Sequence, residues 1–397
     1  MLTLCDVTQF YSPVSGGVKR YLNEKIAYMR RARPNDRHVL IIPGERTEKL
    51  TDGLATTYTV ASPLISRISR YRALLNRRRV AEILQHEQPD IIESGDPYQI
   101  AWKAIHTGRA LGIPVVGFYH SHFPESYLRG VGRLLGAPGA RLAVSLAQRY
   151  VKKLYNSFDR TLVASPALAD VLRGWQVERV NTVELGVDLE FFRKLPIAKA
   201  QLRKELSVPI DAVLLLYIGR LAREKNTRTL FRAFEVLCKE QPGRFCLFIN
   251  GDGLQRSEAL ALKERTGAVH WESYCTDPRR LAKIYNAADV FVHPGVQETF
   301  GLVTLESQAC ATPVVGIRGS YMDRIVFSNQ ECWAGENTPL ALAEAIQKVC
   351  AQDLEVIGNE VSQRVRERYS WDATFDRLFA IYEEVIAEVK KMASVKK

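Results

Sequence analysis

Short apolar runs alternate with amphipathic stretches along most of the chain. The runs predict strands at Val39–Ile42, Asp90–Glu93, Val115–Tyr119, Arg160–Ala164, Val213–Ile218, Phe245–Ile249, Val290–His293 and Pro313–Gly316. The stretches between them carry apolar residues at helical spacing and predict helices at Val18–Arg31, Thr227–Lys239, Arg279–Ala287, Val303–Cys310 and Pro339–Cys350. Runs that are apolar throughout belong to strands covered on both faces, so the alternation predicts parallel sheets flanked by helices. It occurs twice, with a break near Phe192–Ala200, where Pro196 follows a polar connection. The fold class expected is therefore α/β, two doubly wound Rossmann-like domains facing across a cleft. Residues 1–193 form the first, residues 194–368 the second, and residues 369–397 a terminal helix with a basic tail. In such folds ligands sit outside the carboxyl ends of the strands, which makes the cleft the expected site.

Length agrees with two domains, because 397 residues exceed what one hydrophobic core organises. No apolar run approaches the roughly 18 residues of a membrane span. The start, Met1 to Asp6, lacks a basic region and is interrupted by Asp6, so no signal peptide is expected. The cysteines at 5, 238, 246, 275, 310, 332 and 350 contain no Cys-x-x-Cys pair and read as reduced, mostly buried thiols of a cytoplasmic protein.

Charge changes the picture. The net charge is +11, and residues 1–195 hold 28 Lys and Arg against 18 Asp and Glu, while the rest hold 27 against 26. Two acid-free stretches concentrate the excess. Gly53–Ala81 holds Arg67, Arg70, Arg72, Arg77, Arg78 and Arg79; Ser126–Phe158 holds Arg129, Arg133, Arg141, Arg149, Lys152 and Lys153. In the second, Leu142, Leu146, Tyr150 and Leu154 recur every four residues opposite the bases. That pattern suits a helix lying on an anionic bilayer, and it also suits a packed surface helix with a solvated basic face. The pattern alone favours the packed helix. Nucleic acid is not expected as a partner, since no helix-turn-helix, zinc-finger or RNP-type signature is present.

Five strings carry candidate chemistry. In Tyr217-Ile218-Gly219-Arg220-Leu221-Ala222-Arg223-Glu224-Lys225-Asn226, a buried strand ends at Gly219 and two cations follow, suited to two neighbouring phosphates or, more blandly, surface charges. Asn250-Gly251-Asp252-Gly253 allows a tight turn or a close backbone approach to a ligand. Pro294 to Glu306 leads from a strand into a helix opening near Gly301, an anion site, with Glu298 and Glu306 eight apart as acceptors for sugar and ribose hydroxyls. Tyr11 to Val18 places Gly16 and Gly17 between a first strand and a first helix, where backbone N–H groups can approach a phosphate. Phe118-Tyr119-His120-Ser121-His122 puts His120 at a strand end. His120 and His122 lack a third ligand at usable spacing, so no metal is expected.

In this order the five strings resemble the retaining glycosyltransferases of family 4 (glycosyl transferases group 1), which have the GT-B fold. The resemblance runs from Asp6 to about Glu384. It includes Glu184-Leu185-Gly186-Val187-Asp188 ahead of the interdomain linker, and Tyr369-Ser370-Trp371 at the start of the helix that crosses back to the first domain. It implies that Arg220 and Lys225 hold the donor diphosphate, Glu306 the ribose, and Glu298 the hydroxyls of the transferred sugar. Thr299, Phe300, Gly301 and Leu302 then form the backbone segment around sugar and phosphates. Gly219, Gly251 and Tyr274 complete the donor-binding set, Gly17 closes over the diphosphate, and His120 lies near the reacting face of the sugar. Four positions depart from the usual pattern: Asn226 and Ala311 stand where Gly is common, Ser320 replaces the second Gly of a pair, and Ser273 precedes Tyr274.

The implied activity is transfer of a hexose, mannose or glucose first, from a GDP- or UDP-sugar with retained anomeric configuration. Domain closure is expected to bring Gly17 and His120 onto the donor and exclude water. Neither cofactor nor metal is expected: the two cations and the helix supply the positive charge, and no Asp-x-Asp occurs. The first domain of such enzymes binds the acceptor, here the basic half, so the resemblance brings the membrane reading of Arg129–Lys153 level with the packed helix. The acceptor expected is a lipid or glycan, with peripheral attachment to the inner face of the cell membrane. Two alternatives remain at this stage: a non-hydrolysing nucleotide-sugar epimerase of the same architecture, and a non-catalytic basic protein binding membrane or nucleic acid.

Overall fold

The computed structural model describes residues 1–11, 17–65, 70–120, 123–296, 298, 300–320, 322, 324–328 and 330–395, without the side chains of 123–137, 140, 393 and 395. The chain divides into two compact units, Met1–Glu184 with Trp371–Lys397, and Leu185–Ser370.

The first unit runs β1 (Thr3–Val7), α1 (Gly17–Ala32), β2 (Arg37–Gly44), β3 (Glu48–Asp52), β4 (Ala55–Ala61), α2 (Arg77–Glu87), β5 (Ile91–Ser94), α3 (Gln99–Leu111), β6 (Val115–Tyr119), α4 (Phe123–Tyr155), β7 (Arg160–Val163), α5 (Pro166–Gly174) and β8 (Val180–Thr182). Its sheet has the order β3-β4-β2-β1-β5-β6-β7-β8. All neighbours are parallel except the β3–β4 hairpin at the edge. The second unit runs α6 (Lys199–Glu205), β9 (Val213–Ile218), α7 (Thr227–Glu240), β10 (Phe245–Asn250), α8 (Arg256–Thr266), β11 (Val269–Glu272), α9 (Pro278–Ala287), β12 (Val290–Val292), α10 (Leu302–Ala309), β13 (Val314–Val315), α11 (Pro339–Cys350) and α12 (Leu354–Arg368). Its five strands are parallel in the order β11-β10-β9-β12-β13. The last helix, α13 (Trp371–Val395), belongs to the first unit.

Both sheets reverse direction of strand addition once, between β1 and β5 and between β9 and β12. At such a switch point the connections leave on opposite sides and a crevice opens outside the strand ends. The core strands are buried from end to end, as β1, β6 and β10 show, because helices cover both faces.

The boundary lies earlier than the expected 193/194. The segment after Glu184 is bonded into the second unit: Val187 N donates to Tyr369 O at 2.9 Å, Asn286 Nδ2 to Arg193 O at 2.9 Å, and Leu195 N to Asn286 Oδ1 at 2.9 Å. In the first unit, α13 lays Phe375 and Phe379 against Tyr28 of α1, with ring centroids 5.4 and 5.7 Å apart. Thr374 Oγ1 donates to Glu184 O at 2.9 Å. The seven cysteines are free thiols; Cys5, Cys246 and Cys310 are buried and the other four half-buried, so burial is less general than expected.

At the first switch point Asp96 is buried, accepting from Gln9 N at 2.9 Å and Tyr98 N at 3.3 Å. Burial pushes its carboxyl up to about 6, against the pull of those two N–H donors. The folded state therefore holds a proton there that the unfolded chain gives up near pH 4. Stability falls as pH rises between those values and stays lowered above. Asp96→Asn keeps the acceptor oxygen and removes the charge. It is expected to unfold later than the parent at pH 7.5, by up to about 3 kcal/mol, and to match it at pH 4, as measured by denaturant unfolding at both pH values.

Candidate active site

The site of the second unit is assembled from loops that follow neighbouring strands. After β9 the chain passes Gly219 and Arg220, makes one 3-10 turn over Arg223–Lys225, and enters α7 through Asn226. Asn226 takes the left-handed conformation, φ 56°, and so does Ala311, φ 60°, after α10. These are two of the positions where glycine is common. Asparagine tolerates that conformation and alanine meets it with strain, so the backbone path is kept without glycine. Asn226 also fastens the loop, donating through Nδ2 to Pro294 O at 2.8 Å and Asn337 Oδ1 at 2.7 Å.

Because β9 and β12 are adjacent, residues 73 apart in sequence meet: Lys225 Nζ donates to Glu298 Oε2 at 2.5 Å. His293, at the end of β12, places Nε2 3.6 Å from the same oxygen. Burial pushes the Glu298 carboxyl up, but Lys225 and His293 outweigh it and hold the group well below the ordinary carboxylate range. Arg220 stands at the rim, its side chain 58% exposed and 3.3 Å from Glu224. Its carbonyl accepts from the Tyr217 hydroxyl at 2.9 Å, which fixes the loop while leaving the guanidinium outside.

Helix α10 opens on Gly301. Its φ is 88°, and a Cβ there would lie 2.9 Å from Met322 Sδ, so glycine is needed twice over. Gly301 offers no side chain to cap the first-turn N–H groups, the arrangement that suits an anion. Leu302 is the first helical residue. Phe300 is a buried anchor whose ring packs against Tyr369. Glu306 is buried one turn further along and accepts from the Tyr285 hydroxyl at 2.9 Å. Thr299 lies outside the described residues.

Gly251 makes a close approach within the protein itself. A Cβ there would lie 1.9 Å from Gly219 O, so the glycine lets the loops after β9 and β10 touch. Asn250, fully buried, pins the next loop by donating to Ser273 O at 3.2 Å and accepting from Cys275 N at 3.3 Å. Half-exposed Tyr274 sits between those anchors. Asn250 and His293 were not among the predicted site residues. A polar side chain ending a fully apolar strand is the signal both carried.

In the first unit, Gly17 is the exposed first residue of α1; Ser12–Gly16, with most of the predicted glycine loop, lie outside the described residues. His120 follows β6, its ring stacked on Phe118 at 4.0 Å and edge-on to Tyr21 at 5.1 Å. Burial, reinforced by Lys25 against the opposing pull of Asp6, lowers it to about 3, so the imidazole is neutral at ordinary pH. His122 lies outside the described residues, among which no three His, Cys, Asp or Glu form a metal-ligand group.

Arg141, Arg149, Lys152 and Lys153 are exposed along the end of α4, while the side chains of Arg129 and Arg133 lie outside the described ones. The apolar stripe expected opposite them is packed only at its end. Val151 and Leu154 are buried, whereas Leu142 and Leu146 are 63% and 54% exposed. Tyr150 is turned to hydrogen-bond Pro97 O at 2.6 Å. No described helix is long and apolar enough to cross a membrane.

Comparison with known proteins covers both units. Residues 15–191 match the family model described as Glycosyltransferase Family 4, and residues 198–368 match Glycosyl transferases group 1. A GDP-mannose-dependent alpha-(1-6)-phosphatidylinositol dimannoside mannosyltransferase of Mycobacterium tuberculosis is 28% identical over 378 residues, 93% of each chain. A D-inositol 3-phosphate glycosyltransferase of Saccharomonospora viridis is 32% identical over 236 residues, 54% of this chain and 52% of that one. Among solved structures, sucrose-phosphate synthase of Thermosynechococcus elongatus superposes with a TM-score of 0.74 at 20% identity, covering 98% of this chain and 100% of the other. Anabaena HepE, in complex with UDP and glucose, gives 0.72 at 17% identity, covering 97% and 100%. The fold, the loops that end β9 and β12, and the two family matches converge: the chain belongs to glycosyltransferase family 4 and has the GT-B architecture.

Proposed function

We propose that the protein is a retaining mannosyltransferase that takes its sugar from GDP-mannose and acts without a metal ion. The observation that carries this reading is the Lys225–Glu298 pair beside the N-terminus of a helix at the second switch point. A cation for a phosphate and an anion for sugar hydroxyls stand within one hydrogen bond of each other, as the two ends of a sugar–diphosphate linkage require. The relatives that align over most of this chain are GDP-mannose-dependent enzymes, which favours guanine and mannose over the UDP-glucose alternative.

In this mechanism the bond between the anomeric carbon and the phosphate oxygen breaks, and the sugar gains oxocarbenium character. The acceptor hydroxyl attacks from the face the phosphate is leaving, and its proton passes to the departing phosphate oxygen. Configuration is therefore retained. Charge developing on the diphosphate is stabilised by Arg220, Lys225 and the N–H groups opening α10, all positioned before reaction. Glu298, held ionised, accepts from sugar hydroxyls; Glu306 takes the ribose; Gly17 and His120 carry the first domain's share of donor handling.

The acceptor we assign is a lipid-linked glycan or inositol lipid presented at an anionic membrane surface. Exposed Leu142 and Leu146 beside Arg141 and Arg149 form a face in which apolar residues and bases are both open to a bilayer.

Two outcomes are expected. Arg220→Ala and Lys225→Ala, assayed for GDP release with a glycolipid acceptor, should each lose on the order of a hundredfold or more in turnover while remaining folded, and the unaltered enzyme should keep its rate in EDTA. Near-normal turnover in both variants would refute the diphosphate role. Co-sedimentation should show the protein on liposomes containing anionic lipid and not on purely zwitterionic ones, with binding reduced in Leu142→Asp/Leu146→Asp; binding indifferent to lipid charge would count against the membrane face.

A further inference from the structure

A lysine with no exposed surface lies inside the first unit, outside the machinery described so far. Lys25 of α1 donates to Asp6 Oδ1 at 2.9 Å, to Glu93 Oε1 at 3.0 Å and to the Tyr382 hydroxyl at 3.1 Å. Two carboxylates, from β1 and β5, thus meet one ammonium. His38 of β2 adds a contact from Nε2 to Asp6 Oδ2 at 2.6 Å. Glu93 Oε2 accepts from two hydroxyls, Tyr21 at 3.1 Å and Tyr382 of α13. A buried cluster of this kind is costly unless nearly every polar atom is matched, and packed apolar residues would serve stability as well.

What lies against it is His120. The Tyr21 ring, whose hydroxyl is tied to Glu93, meets the imidazole edge-on at 5.1 Å, and its other neighbours are Phe118 and Phe375 of α13. The groups around the imidazole include Asp6 from β1, Thr8 after it, Tyr21 and Lys25 from α1, Glu93 of β5, Gly95 after it, and Phe118 from β6; a Cβ on Gly95 would lie 3.5 Å from its Cδ2. We infer that Lys25, Glu93, Tyr21 and Tyr382 are positioning residues for His120, through which the docked C-terminal helix sets the orientation of the imidazole. The inference rests on the role assigned above to His120. It gives the buried cluster a purpose beyond stability and makes the C-terminal helix part of the active centre's support. The Lys25 charge also opposes protonation of the ring, so a histidine kept neutral can present one nitrogen as donor and the other as acceptor.

The test uses the full-length enzyme and three variants. Tyr382→Phe removes only the hydroxyl shared by Lys25 and Glu93 and keeps the ring packing, so it is expected to fold. Its kcat should fall roughly tenfold while KM for the nucleotide sugar stays within about twofold. Lys25→Met removes the charge; by 15N NMR of the histidine side chains, the His120 signal, identified by its loss in His120→Ala, should titrate at higher pH than in the unaltered protein. Unchanged kcat in Tyr382→Phe together with an unshifted His120 titration in Lys25→Met overturns the inference. Should Lys25→Met not fold, an unchanged pH–rate profile and kcat in Tyr382→Phe overturn it alone. Full activity in His120→Ala would instead overturn the role of His120 itself, a separate failure that the NMR titration does not share.

Discussion

Lys225 and Glu298 meet because the sheet of the second domain reverses its order between β9 and β12. Each is partly withdrawn from water, and each needs the other. Without Lys225, the Glu298 carboxylate would face a burial penalty answered, among the described residues, by His293 at 3.6 Å. The pair holds the loop after one strand to the loop after its neighbour, beside the opening turn of α10. A donor that offers a phosphate to the lysine and hydroxyls to the glutamate satisfies both charges at once. On the proposed function, both charges are already in place before the donor arrives, as preorganised electrostatic catalysis demands.

Much of this was legible in the residues. The strands that form the two cores are the uninterrupted apolar runs, and the helix starting beyond Gly301 follows from its flanking strand and glycine. The pairing itself was not legible. Arg220 and Lys225 read as cations for phosphates and Glu298 as an anion for sugar, each with its own partner. Only the crossover that puts β12 next to β9 shows that two of them share a bond. The same holds for Gly251, whose sequence context suggests a ligand and whose actual neighbour is the Gly219 carbonyl. Strands β3, β4, β8 and β11 escaped because they are short, polar or alternating elements at or next to a sheet edge, without a continuous apolar run.

Two features of the first domain lie beyond what charge and periodicity report. Lys25, in a helix that also carries Lys19, Arg20, Arg30 and Arg31, is wholly buried, because Asp6 and Glu93 come from the two strands at the switch point. Leu142 and Leu146 fit a packed helix and a membrane-facing one about equally in the light of the family resemblance, and both are exposed. One side chain is drawn inward by two carboxylates far away in sequence, and two are left outside. Helical periodicity reports a helix and its two faces; it does not report which face finds a partner.

The central claim is that the paired loops of the second domain are built for a diphosphate. Calorimetric titration of GDP and of GMP into the full-length protein tests it most directly. The account predicts that GDP binds more tightly than GMP by roughly tenfold or more, and that Lys225→Ala erases the difference. Equal affinities for the two nucleotides in the unaltered protein would contradict it.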